Sequence, residues 1–165
     1  MTWTPALLAA GDVLAAEQVN TLLSGPYWLL SASSDQNISN AAATPASFNT
    51  VTEYNSRYST ISTPATSVTV PIAGVWEVIG QVTFAANSTG QREAYLSMAG
   101  STVAGVSQSS PAASRPWAGQ VYARKKLAAG HTIALYVYQN STGTLATSSA
   151  TLGGCRLWVK WQGLG

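Results

Sequence analysis

The sequence predicts an all-β fold, a sandwich, jelly roll or barrel, on three observations. The first is the stretch 68–84, VTVPIAGVWEVIGQVTF. From Gly74 it alternates: Trp76, Val78, Gly80, Val82 and Phe84 fall on one face, and Val75, Glu77, Ile79, Gln81 and Thr83 on the other. Period two in β-branched and aromatic residues marks a strand with one buried face, and Pro71 and Gly74 make the corner that feeds it. The second is a series of turn signals that divides the chain after residue 50 into about 8–10 short segments with no helical pattern between them. That spacing suits antiparallel sheets and argues against a parallel α/β sheet. The third is composition: 8% of residues are charged, against roughly 25% in ordinary soluble domains. Ser and Thr total 38 and must supply much of the polar surface.

Taken in order, the elements fall into three zones. Residues 1–26 hold the one helical pattern, an apolar stripe of Val13, Leu14, Val19, Leu22 and Leu23 with Gly25-Pro26 as its stop. At about ten residues such a helix is marginal alone, so its stripe must dock on something. Residues 27–49 start with Tyr27-Trp28-Leu29-Leu30 and continue as SASSDQNISNAAATPAS, which has no periodicity and reads as an extended linker or long loop. Residues 50–165 form the β domain. Its predicted strands are 50–54, 67–70, 74–84, 92–98, 102–107, 120–127, 132–139 and 154–162, with shorter candidates at 58–61 and 144–147. Turns are expected at NSTG 87–90, AG 99–100, AG 129–130, NSTG 140–143 and GG 153–154.

Composition also bounds function. A chain of 165 residues is most simply one domain with a small appendage. Its formal charge of +2 gives no case for nucleic acid or an anionic membrane as partner. One cysteine, Cys155, excludes an intrachain disulfide and a cysteine zinc site, and its apolar strand context predicts a small buried side chain. The opening MTWTPALLAAGDVLAAEQ lacks the basic start of a signal peptide, and no apolar run is long enough to span a membrane. The expectation is a protein made in a cytoplasm. Six Trp and seven Tyr against two Phe suit a chain that works in an assembly, since Trp and Tyr favour interfaces.

The order of motifs carries a resemblance. VPIAGVWEVIGQVTF is followed by NSTGQREAYLSMAGSTVAG, then WAGQVYARKKLAAGHTIALYVYQNSTG, then GGCRLWVKWQGLG. This order resembles the C1q/TNF-like jelly-roll superfamily over residues 50–162. Pro71, Gly74 and Trp76 match its first motif, Arg92, Leu96 and Gly100 its second, and Leu127, Gly130, Leu135 and Val137 its third. His131 stands where the family usually has Asp. The resemblance implies a homotrimer packed around a three-fold axis through aromatic and aliphatic surface, for which Tyr136, Tyr138 and Trp158 are the candidates. A second resemblance lies in Trp3-Thr4 followed by GDVLAAEQVN at 11–20, which is similar to the opening of many tailed-phage structural proteins, especially of actinobacterial phages. It implies a virion protein assembled in the bacterial cytoplasm, a minor tail or fibre component anchored to other virion proteins through Trp3, Val13, Leu14, Val19, Leu22 and Leu23. A capsid decoration protein is the alternative, and a host-glycan-binding module on the tail tip is another.

No residue pattern asks for catalysis, a metal or a cofactor. His131 is the one histidine and lies in the turn LAAGHT with no carboxylate beside it in sequence. The acids Asp12, Glu17, Asp35, Glu53, Glu77 and Glu93 are scattered, and no cluster has metal-ligand spacing. The basic run Arg124-Lys125-Lys126 reads as a solvated strand face with Lys125 pointing the other way. The sharper alternative is a ligand or partner strip of Arg115, Trp117, Tyr122 and Arg124. On the last strand, Cys155, Leu157, Val159 and Trp161 suit the core, leaving Trp158 outside between the cations Arg156 and Lys160.

Overall fold

The computed structural model describes residues 25–54, 58, 60–109, 115–149 and 154–165. The helix expected within 1–26, with its stripe and Trp3, lies outside the described residues. Among the described residues there are twelve strands and no helix. They are β1 Tyr27–Ser31, β2 Asn37–Ile38, β3 Thr44–Pro45, β4 Thr50–Tyr54, β5 Val68–Thr69, β6 Gly74–Phe84, β7 Gln91–Met98, β8 Ser101–Ser109, β9 Trp117–Leu127, β10 Thr132–Gln139, β11 Leu145–Ala146 and β12 Arg156–Gly163. Two antiparallel sheets face each other. The first has the order β4-β1-β12-β6-β9; the second has the order β3-β10-β7-β8, with β5 also on β10.

The alternation in β6 holds from Gly74 to Val82: Trp76, Val78, Gly80 and Val82 are buried, while Val75, Glu77, Ile79 and Gln81 are only partly covered. At the strand's end Phe84 is buried as expected, but Thr83, expected on the outer face, is fully buried too, where Thr147 and Ser148 bond alongside. Between the sheets, Trp76 stacks on Trp28 with centroids 5.8 Å apart, over a core that includes Leu96, Leu135, Leu157 and Val159. Gly74 is required at the corner. Its φ is +147°, and a Cβ there would lie 2.2 Å from Trp161 Nε1 and 2.4 Å from the Gly163 carbonyl oxygen.

Residues 27–49 are not a linker. β1 is the second strand of the first sheet, paired with both β12 and β4. Trp28, Leu30, Ile38, Ala46 and Phe48 are fully buried. The apolar residues of this segment fill the core, and Gln36 ties its turns: its side chain donates to the Pro45 carbonyl and accepts from Ser47 N–H. Among the described residues of the candidate strand 58–61 none is in a strand, Tyr58 lying in a turn, whereas the one at 144–147 appears as β11.

Two buried polar side chains hold the loops at one end. Arg92 is fully buried; its guanidinium donates to the carbonyls of Thr89, Gln91 and Asn87, and burial pushes its pKa down. Gln139 donates to the carbonyls of Ile38 and Gly143 and accepts from Ser141 N–H and Oγ. Gln139 is satisfied at both its amide atoms, and the Arg92 guanidinium is held at both terminal nitrogens while its buried Nε has no partner; the bonds they do make tie the loops in place. At the β9–β10 turn, His131 Nδ1 accepts from Ala128 N–H at 3.3 Å while His131 N–H donates to the Ala128 carbonyl. The imidazole thus supplies a turn acceptor where a carboxylate was expected from the resemblance.

Candidate interaction surfaces

Each sheet turns one face to the core and one outward, so the side chains available to partners fall into two sets. On the first sheet the register places Leu29 opposite Trp158, Trp158 opposite Ile79, and Ile79 opposite Tyr122. This is one continuous row across β1, β12, β6 and β9, and all four side chains lie outside the core. Tyr122 is 54% exposed, the outermost member of the row. Cross-strand neighbours on one face stand about 5 Å apart, close enough to form a single patch. The row above it is Tyr27, Lys160, Glu77 and Arg124, and the row below is Ser31, Arg156, Gln81 and Gln120. Lys160 Nζ sits 5.9 Å from the Trp158 ring centroid, and Gln162 Nε2 donates to Glu77 Oε2. The patch is therefore an apolar band between two polar bands, with both signs of charge in one of them.

On the second sheet, Tyr136 pairs with Tyr95, and their rings stack 5.2 Å apart within 4° of parallel. Pro45 lies beyond Tyr136 and Gly105 beyond Tyr95. Tyr138 lies opposite Glu93, which in turn pairs with Ser107, and Gln91 Nε2 donates to Glu93 Oε1. Burial, then the nearby Tyr136 and Glu93, pushes the Tyr95 hydroxyl above its ordinary pKa.

The residues singled out from sequence divide between these faces. Tyr136 and Tyr138 lie on the outer face of the second sheet and Trp158 on that of the first, so one flat contact does not take all three. Of the second group, Tyr122 and Arg124 project from β9 onto the first sheet's face alongside Trp158, and Arg115 is exposed just before β9. Trp117 does not join them. It is buried against Phe84, centroids 5.9 Å apart, because β9 starts at Trp117 and its inward phase of Trp117, Gly119, Val121 and Ala123 carries the ring into the core. Lys125 points inward as expected and reaches the Met98 carbonyl oxygen at 3.3 Å.

Three residues of these surfaces were not singled out: Leu29, Ile79 and Tyr95. The alternation of β6 had put Ile79 on the outer face between Glu77 and Gln81, an apolar residue in a polar set. That was the available signal. Cys155 is buried, and its thiol is pushed up by burial despite bonds toward Thr147 and Thr83. Among the described residues no group of three or more His, Cys, Asp or Glu converges on a metal-binding geometry.

The fold is similar to that of several solved structures. The Eiger TNF structure from S. frugiperda matches with a TM-score of 0.60 at 15% identity, over 86% of this chain and 94% of that one. A crystal structure of murine APRIL at pH 5.0 matches with a TM-score of 0.61 at 16% identity, over 84% of this chain and 100% of that one. The globular domain of the zebrafish complement 1qA protein matches with a TM-score of 0.59 at 11% identity, over 85% of this chain and 99% of that one. These neighbours are C1q/TNF-family jelly-roll domains, and at such identities the likeness is one of fold. No family model and no curated protein matches the chain.

Proposed function

We propose that the chain is a non-enzymatic structural component of a bacteriophage particle, a minor tail or fibre-type protein that works as a homotrimer. The observation that carries the assembly is the row Leu29–Trp158–Ile79–Tyr122 on the outer face of the first sheet. A second and third copy of the chain are its occupants. The band is long and apolar, which suits burial, and the adjoining band offers Glu77 together with Lys160 and Arg124, which suits pairing between copies. The C1q/TNF-like resemblance supports three copies around an axis.

The particle assignment rests on the opening Trp3-Thr4 and residues 11–20. Residues 1–26 serve as the anchor to other virion proteins, and the jelly roll faces outward. Three anchors on one trimer gain avidity that a single short segment lacks. Deleting residues 1–24 tests this and leaves Gly25, which packs closely on Trp161. The truncated protein should remain a soluble trimer and should be absent from purified particles by immunoblot. A truncated protein that still enters particles would overturn the anchoring role.

A further inference from the structure

The outer face of the second sheet carries a concavity that this assembly does not use. Tyr95 stands between Tyr136 on β10 and Gly105 on β8. Its ring is stacked on Tyr136, so the opposite ring face looks across Gly105, which has no side chain. A concavity of about 400 Å³ opens there, lined by Glu93, Tyr95, Thr102, Gly105, Val106 and Ser107.

A glycine inside a strand often marks the close approach of another group, or is covered by an aromatic neighbour. Here the aromatic ring does not cover it. A Cβ built on Gly105 would meet Tyr95 Cβ at 3.3 Å and the Ala94 carbonyl oxygen at 3.4 Å, with no ring atom closer than 3.9 Å. Beyond those two contacts the concavity opens over Gly105, with an aromatic wall on one side and a carboxylate and two hydroxyls around it.

We propose that this concavity binds one pyranose ring of a carbohydrate. The apolar C–H face of the sugar lies against the free face of Tyr95, over Gly105, and its hydroxyls bond to the Glu93 carboxylate and to the Thr102 and Ser107 hydroxyls. The chemistry selects the class. A wholly apolar ligand would cover the Thr102 and Ser107 hydroxyls and the Glu93 oxygen not bonded to Gln91 without pairing them, which is costly. An anionic ligand would meet Glu93. A neutral ring with one apolar face and a hydroxyl edge satisfies both walls. All the residues belong to one chain, so the site is independent of the trimer proposed above.

The test is ligand-observed saturation-transfer NMR on the full chain with the methyl glycosides of glucose, galactose, mannose and N-acetylglucosamine. At least one should bind with a dissociation constant on the order of 1 mM, as a single ring in an open site would. Gly105→Val fills the space and should abolish the signal, Glu93→Gln should weaken binding roughly ten-fold, and Leu164→Ser, at an exposed residue outside both faces' sets, should leave it unchanged. If Gly105→Val fails to fold, Glu93→Gln decides. Absence of binding by all four glycosides would overturn the site. So would binding that survives both substitutions, or that is lost with Leu164→Ser.

Discussion

The two outer faces of this sandwich are built by the same alternating strands around one core, yet they present different chemistry. The first sheet lines up Leu29, Trp158, Ile79 and Tyr122 in an unbroken row with polar rows on either side. The second lines up Pro45, Tyr136, Tyr95 and Gly105, a ring pair that ends in a gap. A continuous band is suited to burial against a surface of similar size. A ring beside a gap is suited to something small. Period two decides which residues face out, and the cross-strand register decides what those residues make together.

The largest expected effect of breaking this contrast is at Ile79, the middle of the apolar row. Ile79→Arg places a cation between Trp158 and Tyr122 without touching the core. A central interface position typically costs 2 kcal/mol or more when disrupted, as an order of magnitude. The variant should run as a monomer by light scattering, with an unchanged far-ultraviolet spectrum. A trimer that persists with normal mass would remove the first sheet's face from the assembly.

A smaller effect is expected at Tyr136, the matching position on the other face. Tyr136→Ala removes the ring that stacks on Tyr95. Loss of a stacked cross-strand pair costs about 1–2 kcal/mol. Urea unfolding should show a lower midpoint with little change in slope, and the trimer should keep its mass. Dissociation instead would show that the second sheet's face takes part in assembly and that the two faces are not separate in function.

How far the sequence already held this contrast depends on element length. β6 and β10 match their expected bounds, because eight or more residues of largely alternating pattern fix a strand's extent, although Thr83 at the end of β6 turns out buried where the alternation put it outside. Residues 27–49 gave no phase, because β2 and β3 are two residues each and the buried Ile38, Ala46 and Phe48 are separated by polar turns tied down by Gln36. A strand starting at residue 120 leaves Trp117 before it, in a ligand or partner strip; the phase of Val121 and Ala123 run backwards puts it inside. Tyr136 and Trp158 lie outside the core, but on which of two faces is a matter of sheet order, and no local pattern encodes that. The row on the first sheet needs four strands from distant parts of the chain to be set side by side.

The smallest effect concerns pH and separates the two faces once more. Burial first, then Tyr136 and Glu93, raises the Tyr95 pKa above its ordinary value near 10.0. A group whose pKa is raised on folding contributes stability that is fully present below its unfolded value and is lost as pH rises through the folded one. The folded protein should therefore lose stability above pH 10 partly because Tyr95 must ionise beside Glu93 and against a second phenol. Tyr95→Phe removes that ionisation while keeping the ring on Tyr136. Thermal melts of the two proteins should run parallel below about pH 9 and diverge above about pH 10.5, with the wild type falling more steeply. Parallel curves through the alkaline range would mean that the Tyr95 hydroxyl is as free to ionise in the folded chain as in the unfolded one, and that the concavity beside it is better solvated than its lining suggests.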